Sequence, residues 1–268
     1  MVRATISAIL VALTLGACGG AAADLAFDAP RVVAADAPAP SLGLFPGEQM
    51  SFEVKLGGIL IGEASLAVGQ PGMVDGHRAL AVRSLIATAG AAAMLKRVSD
   101  EATTIIDADH ATPLTMTSQV TTGGVDYHAE VVFHGGMIDA TSTRSDTPRV
   151  GHDHFAFGDL IAHDTHTAMA AMRGWEASPG ASKTLWVMGG KRIWKSVVNF
   201  DGRETIGTQL GNRAAVRYSG LAWRANGALK VDDGKPARDF VVWLSDDADR
   251  VPLKVVAKTE LGEIIIEL

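Results

Sequence analysis

Short runs of alternating apolar and polar residues, joined by turns that contain glycine, constrain the fold of this chain more than any other feature. The first two runs cover residues 51–56 and 59–68, with Gly57-Gly58 between them. Side chains of a strand point alternately to the two faces of a sheet, and a Gly-Gly pair between two such runs is typical of a β-hairpin. Further runs of this kind cover residues 78–88, 96–107, 114–121, 127–134, 137–143, 183–188, 192–200, 204–210, 215–224, 238–245, 253–259 and 263–268.

This pattern predicts an all-β, mainly antiparallel fold in which successive strands form a meander. The chain contains 29 glycines, and we expect most of them at turns that need a positive φ. A sheet of so many strands cannot stay flat and open. It should therefore curl into a barrel-like sheet or a two-layer sandwich.

One segment departs from the strand pattern and predicts the main α-helix, around residues 159–175. In the sequence GDLIAHDTHTAMAAMRGW, apolar and small residues recur at helical spacing, and either Asp159 or Asp164 can serve as the N-cap. Gly174 and Pro179-Gly180 end the segment. We expect this helix to cross or plug one end of the sheet.

The beginning of the chain has the features of a lipoprotein signal peptide over residues 1–17. Arg3 precedes the short apolar run ISAILVALTL, which is far shorter than the ~20 residues of a transmembrane helix. The sequence Leu15-Gly16-Ala17-Cys18 resembles a bacterial lipobox, so Cys18 is predicted to carry the lipid. The alternative is an ordinary signal peptide whose cleavage site lies near a cysteine. Gly19, rather than Asp, follows Cys18, and in enteric bacteria this indicates the outer membrane.

Composition excludes several classes of protein. The chain is 47% apolar and 20% charged, which excludes disorder throughout. Its net charge of −6 argues against a nucleic-acid partner, and its single cysteine excludes an intramolecular disulfide or a multi-cysteine zinc site. Residues 18–44 are rich in Ala and Pro and are predicted to be a tether, followed by one β-rich domain over residues 45–268.

The predicted domain resembles the domain-of-unknown-function 3108 (DUF3108) family. The resemblance is carried, in order, by Phe45-Pro46-Gly47-Glu48, Ile61-Gly62-Glu63-Ala64, Asp164-Thr165-His166-Thr167-Ala168, Met172-Arg173, Pro179-Gly180, Asp201-Gly202-Arg203-Glu204, Trp243-Leu244-Ser245-Asp246-Asp247 and Arg250-Val251-Pro252. It implies an exported bacterial protein of mostly β structure with no agreed activity. The family's helix has aromatic residues where this chain has Ala170 and Ala171, so a pocket wall formed by those aromatics is not expected here.

Four histidines form the first candidate site. His152 and His154 share one face of an extended segment, and His163 and His166 share one face of the predicted helix. Two such pairs can supply four imidazoles to zinc or copper. The alternative is a polar loop followed by a solvated helical turn.

Charged residues provide two weaker candidates. Asp246, Asp247 and Asp249 could bind calcium or act as paired carboxylates, although the rest of a calcium loop is missing. The other interpretation is a turn in which Arg250 pairs with one of these carboxylates. Arg173 and Glu204 coincide with family positions, and we expect an ion pair between them that fixes the helix to the sheet.

Five tryptophans could line a lipid or glycan pocket, although ordinary core packing is the alternative: Trp175, Trp186, Trp194, Trp223 and Trp243. The sequence contains neither Gly-x-Ser-x-Gly nor His-Glu-x-x-His. We therefore expect a non-enzymatic, lipid-anchored envelope domain without a cofactor. It would bind an amphipathic ligand or an envelope protein in the concavity of the sheet. A metal-dependent envelope enzyme and a structural spacer are the alternatives.

Overall fold

The computed structural model describes residues 33–34, 43–259 and 261–268. The predicted signal peptide and Cys18 lie outside these residues, as does most of the predicted tether. The strands are β1 (Val33–Ala34), β2 (Gln49–Leu56), β3 (Ile59–Val68), β4 (Gly72–Val74), β5 (His77–Thr88), β6 (Val98–Asp107), β7 (Thr112–Thr122), β8 (Val125–His134), β9 (Met137–Arg144), β10 (Thr147–Ala156), β11 (Ala162–Asp164), β12 (Ser182–Gly189), β13 (Arg192–Thr208), β14 (Gly211–Ala225), β15 (Arg238–Ser245), β16 (Pro252–Thr259) and β17 (Gly262–Glu267). The helices are α1 (Gly90–Leu95) and α2 (Thr165–Arg173).

The strands form one sheet, which confirms the predicted antiparallel meander. Hydrogen-bonded neighbours follow the order β10-β9-β8-β7-β6-β5-β3-β2-β17-β16-β15-β14-β13-β12-β11. The short strands β4 and β1 lie beside the start of β5. Within the described part of the chain, no ladder joins β10 to β11. The sheet is therefore curled and barrel-like but open.

The meander forms because strands with alternating buried and exposed residues are joined by tight turns that contain glycine. Every second residue is buried from Met50 to Val54 in β2 and from Gly62 to Val68 in β3, and the turn between the strands contains Gly57 and Gly58 at φ of 57° and 83°. Residues with a Cβ rarely adopt such values, so glycine permits the chain to reverse within two residues. A turn of the same kind, with Gly123-Gly124 at positive φ, joins β7 to β8.

Two apolar clusters fill most of the curled sheet. The larger cluster joins β2, β3, β5 and β6 to β12–β17 and α2, and Phe52, Phe200 and Tyr218 are among its buried members. The smaller cluster joins Met116 of β7 and Ile138 of β9 to residues of β12 and β13. The two halves of the sheet therefore pack face to face, as burial of both inner surfaces requires.

The main helix is present but shorter than predicted. The predicted helix around 159–175 is α2, which covers only Thr165–Arg173, because residues 162–164 form β11. Strand β11 pairs in parallel with β12, and α2 crosses between these two strands. Asp164, and not Asp159, is the N-cap.

Five elements have no counterpart among the predicted ones: the strands β1, β4, β10 and β11 and the helix α1. Strand β10 pairs with β9, and helix α1 lies between β5 and β6. Neither helix of the described part has the length and apolar character of a membrane-spanning segment.

Candidate functional site

The structure does not bring the four candidate metal-binding histidines together. His152 and His154 are exposed on β10, where His154 Nδ1 lies 2.6 Å from Asp139 Oδ1. His163 and His166 are buried where β11 meets α2. No three His, Cys, Asp or Glu side chains in the described ranges are arranged to hold a metal ion. The predicted convergence on zinc or copper is therefore wrong, because one pair faces solvent while the other is enclosed in the core.

Asp164 and His166 belong instead to a buried polar cluster with Ser84, Thr104 and Thr167. The Asp164 carboxylate accepts hydrogen bonds from the backbone N–H groups of His166 and Thr167, at 3.1 and 3.0 Å. Thr167 Oγ1 in turn accepts one from the Asp164 N–H at 3.0 Å, which completes a capping box. Burial raises the pKa of Asp164. The hydrogen bonds from His166, Thr104 and Thr167 outweigh that effect and hold the pKa well below its ordinary value.

The same cluster has the order of groups found in Ser-His-Asp sites. His166 Nε2 lies 2.9 Å from Ser84 Oγ, and His166 Nδ1 lies 3.2 Å from Asp164 Oδ2. Thr104 Oγ1 also bonds to the Asp164 carboxylate and lies 2.7 Å from His166 Nδ1. A nucleophile must meet its substrate, whereas Ser84 is buried and borders neither of the two cavities described below. We therefore interpret the buried polar cluster as a clamp that ties α2 to β5 and β6.

The predicted ion pair between Arg173 and Glu204 is wrong. Arg173 is buried and makes two hydrogen bonds of 2.8 Å to the carboxylate of Glu48, just before β2. Glu204 lies on the exposed part of β13 and accepts a hydrogen bond of 2.6 Å from Trp243 Nε1. Arg173 fixes the helix to the sheet as expected, but through a residue more than a hundred positions earlier in the chain.

The acidic turn between β15 and β16 is held by arginine. Asp246 accepts hydrogen bonds from Arg250 at 2.8 Å and from Arg203 at 3.0 Å, which lower its pKa. The predicted pairing of Arg250 with this turn is confirmed. Asp247 accepts hydrogen bonds from the backbone N–H groups of Asp249 and Arg250, so it shapes the turn. One carboxylate oxygen of Asp246 and one of Asp247, both considered for calcium or for paired carboxylates, are thus already engaged in hydrogen bonds.

The remaining family positions lie apart from one another. Glu63 is exposed on β3, and Pro252 is the buried first residue of β16. None of the five tryptophans lines either of the two cavities that are described below. Trp194 is buried in the larger cluster, Trp175 stacks on Tyr218 at 5.6 Å, and Trp186 packs edge-on against Phe157. Core and sheet packing therefore accounts for these three aromatic side chains.

A pocket of about 400 Å³ opens at one end of the curled sheet. Its first wall is the inner face of β7, β8 and β9, which contributes Val120, Tyr127 and Ala129. Its second wall is the turn between β12 and β13, where Gly189 and Gly190 leave the space free of side chains. This volume falls within the range of small-molecule sites.

Cationic side chains surround this pocket in a chain whose net charge is negative. Lys96, Arg144, Lys191 and Arg192 all line it. Arg144 is neutralised by Asp146 at 2.9 Å, whereas Lys96 and Lys191 make no ion pair with the described residues. Burial, and then the charges of Arg224 and Arg238, lower the pKa of Arg192. The rim therefore concentrates positive charge that an anion would stabilise.

Asp100 lies beside this pocket on the inner face of β6, directly across from the pocket residue Val120. Its side chain is buried, and its Oδ2 atom has no hydrogen-bond partner within the described part of the chain. Burial disfavours the ionised form and raises the pKa of Asp100 to about 7. A carboxyl group that is about half protonated at pH 7 thus adjoins the apolar wall of the pocket.

A second cavity, of about 30 Å³, lies under α2 between Met169, Met172 and Phe240. The hydroxyl groups of Thr165 and Ser196 border it and have no hydrogen-bond partner among the described residues. This volume holds only one or two water molecules. The larger pocket is therefore the better candidate for a ligand.

No residue of the larger pocket was among the candidate site residues predicted from the sequence. The signal that could have indicated this pocket is the pair Lys191-Arg192 directly after the Gly189-Gly190 turn, together with the pair Lys96-Arg97 just before β6. Basic pairs at strand ends are common surface features, so neither pair alone indicates a pocket.

The family model described as "Protein of unknown function (DUF3108)" matches residues 51–268, which is most of the chain. The chain belongs to the DUF3108 family. This confirms the resemblance found in the sequence, and the family's description assigns no function. No curated protein matches this DUF3108 chain.

Two solved structures are similar to this DUF3108 protein. The first is a β-barrel-like protein of domain of unknown function DUF1849 from Brucella abortus, with a TM-score of 0.53 and 8% identity over 81% of this chain and 93% of that chain. It supports the fold alone. The second is a presumed exported protein with a YmcC-like fold from Bacteroides fragilis, with a TM-score of 0.33 and 12% identity over 83% of this chain and 94% of that chain.

Proposed function

We propose that this DUF3108 protein is a non-enzymatic envelope protein whose pocket binds an amphipathic ligand with an anionic head group. The observation that carries the proposal is the combination, in one pocket of about 400 Å³, of an apolar wall and a cationic rim. The apolar part of the ligand would lie against Val120, Tyr127 and Ala129. Its head group would lie near Lys96, Lys191 and Arg192.

The physical basis is that each end of such a ligand has a distinct partner. Burial of each methylene group contributes about 0.8 kcal/mol, and this contribution does not depend on the head group. Electrostatic attraction at the rim then selects an anionic head group over a neutral one. Lys191 is exposed, so its contribution should weaken with added salt.

Fluorescence titration with cis-parinaric acid tests the proposal, because this polyunsaturated fatty acid gains fluorescence in an apolar site. The full chain should bind the acid at least tenfold more tightly than its methyl ester. The double variant Lys191→Gln, Arg192→Gln should lose at least tenfold in affinity for the acid and little for the ester. Arg213→Gln removes an exposed charge from β14 outside the pocket and serves as the control.

Two outcomes would count against the proposal in different ways. If acid and ester bind equally well, the role of the cationic rim is refuted. If neither probe binds, the pocket is not a ligand site, and the alternative of a structural spacer gains support from the filled apolar clusters.

We also propose lipid attachment at Cys18 and a location in the outer membrane, on the basis of the sequence at residues 1–19. Metabolic labelling with palmitate should mark the wild-type chain and not Cys18→Ser. Sucrose-gradient fractionation should place the labelled chain in the outer membrane. Labelling that persists in Cys18→Ser would refute the lipid site, and label in the inner-membrane fraction would refute the sorting.

A further inference from the structure

Helix α1 exposes apolar side chains without any packing that explains them. It contains the sequence GAAAML, none of its residues is buried, and Met94 and Leu95 are each 89% exposed. A helix of six residues is too short to be stable through its own hydrogen bonds, and α1 has no side-chain N-cap. Met94 and Leu95 therefore lie in solvent on a helix that contacts with the rest of the chain do little to stabilise.

The turn between β2 and β3 extends this surface. Ile59 is 71% exposed and Leu60 is half-exposed. The Ala89 N–H donates a hydrogen bond of 3.0 Å to the Ile61 carbonyl, so the residue before α1 is joined to the strand that starts at this turn. We name the four side chains of Ile59, Leu60, Met94 and Leu95 the apolar tip.

Basic residues follow the apolar tip directly in the chain. Lys96 and Arg97 are exposed and make no ion pair with residues of the described ranges. The backbone that carries them is fixed, because Thr88 Oγ1 donates to the Lys96 carbonyl at 3.1 Å and accepts from the Val98 N–H at 2.9 Å. The surface thus combines protruding apolar groups with adjacent positive charge, in a chain whose net charge is −6.

The apolar tip and the pocket share one end of the sheet. Strand pairing places the β2–β3 turn, α1, the β7–β8 turn and the β12–β13 turn at corresponding strand ends. Lys96, which directly follows α1, also lines the pocket. A surface that engages the apolar tip therefore lies next to the pocket opening.

The positive charge beside the apolar tip favours an anionic bilayer over a second copy of this chain as the partner that covers the tip. A second copy of this chain would bring the same basic residues against each other across a symmetric contact. An anionic bilayer supplies apolar depth for Met94 and Leu95, and its phosphate groups attract Lys96 and Arg97.

We propose that the apolar tip inserts into an anionic lipid surface, with Lys96 and Arg97 against the head groups. Docking in this way holds the pocket opening at the bilayer, from which an anionic amphipath can enter. The entry of a ligand rests on the proposed function, whereas the docking does not.

Vesicle flotation tests the docking, with vesicles of phosphatidylcholine alone or with 30 mol% phosphatidylglycerol. All proteins are full chains with Cys18→Ala, so that no lipid is attached and the rest of the N-terminal sequence is common to every variant. Met94→Ser with Leu95→Ser should reduce binding to the anionic vesicles at least tenfold. Arg97→Gln should reduce it about fivefold, since one basic residue near such a surface contributes about 1 kcal/mol.

The matched control changes two exposed apolar residues elsewhere, Leu160→Ser and Ile161→Ser, and should bind like the unchanged chain. Equal binding by the Met94/Leu95 variant and this control would overturn the proposal. So would a change in oligomeric state in place of vesicle binding, since that would indicate a second copy as the occupant. Circular dichroism verifies that the variants fold, which we expect because the altered side chains are exposed.

The parinaric acid titration separates this proposal from the proposed function. Met94 and Leu95 do not line the pocket, so the Met94/Leu95 variant should keep its affinity for the acid while losing vesicle binding. Vesicle binding without acid binding would refute the pocket's function and leave the docking in place. Acid binding without vesicle binding would refute the docking and leave the pocket's function in place.

Discussion

Replacement of Asp100 by asparagine should stabilise the protein, and by an amount that increases with pH. Asp100 is buried on β6, and burial raises its pKa from 3.8 to about 7. In the unfolded chain the same carboxyl ionises near its ordinary pKa. Asparagine has a similar size but no charge to desolvate, so Asp100→Asn removes the penalty without removing much packing.

The direction in which the stability changes with pH follows from the number of protons that Asp100 binds in the folded and the unfolded state. Between pH 3.8 and about 7 the folded state binds more protons at Asp100 than the unfolded state does, so the free energy of unfolding falls as pH rises. Each pH unit in this range costs about 1.4 kcal/mol, which gives a total of about 4 kcal/mol above pH 7. The advantage of Asp100→Asn over the wild type should therefore be about 2 kcal/mol at pH 5 and about 4 kcal/mol at pH 8.

Urea unfolding of the full chain at pH 5, 6, 7 and 8 measures this difference. Other titrating groups are common to both proteins and cancel when the two stabilities are subtracted. Asp153→Asn, which changes an exposed carboxyl on β10, is the control and should differ from wild type by less than about 0.5 kcal/mol at every pH. A stability difference for Asp100→Asn that does not change with pH would refute the reasoning.

Three further substitutions test the packing, each by urea unfolding. Arg173→Met should lower the free energy of unfolding by about 3–5 kcal/mol, because it leaves the carboxylate of Glu48 without its partner. Adding Glu48→Met should recover part of this loss. If the double variant shows no recovery, the two residues do not form a direct pair. Asp164→Ala removes the helix cap and an acceptor for buried groups, so it should cost at least about 2 kcal/mol, and a smaller loss would mean that the clamp contributes little. Gly220→Ala should cost about 1–3 kcal/mol because the added Cβ would overlap the Phe240 ring, and Phe240→Leu should then be better tolerated with Gly220→Ala than alone.

Strand pairing was predictable where alternation and turn chemistry agree. Gly57-Gly58 and Gly123-Gly124 lie between alternating runs, and both pairs adopt the positive φ that such turns need. Strand β10 gave no comparable signal, because it is an edge strand with only Phe155 buried. An edge strand with one packed residue lacks the period of two that half-buried strands show.

Partners distant in the chain were not predictable. Asp159 and Asp164 have the same capping chemistry, and the choice of Asp164 depends on Thr104 and on His166, which Ser84 contacts in turn. Arg173 likewise had several acidic residues as candidate partners, and only the packing of α2 against the chain before β2 selects Glu48. The spacing of residues along the sequence does not show which residues from distant segments come into contact.

By itself the sequence determined the strand type, most turns, the main helix and the family, because these depend on residues that are close together in the chain or on an ordered set of motifs. It also predicts lipid attachment at Cys18, which lies outside the described residues. The tertiary structure alone decided that the histidines stay apart, that Asp164 and His166 are buried and that a cationic pocket opens beside an apolar tip. Each of these features is assembled from segments that meet only when the sheet curls, so residue spacing could not reveal them.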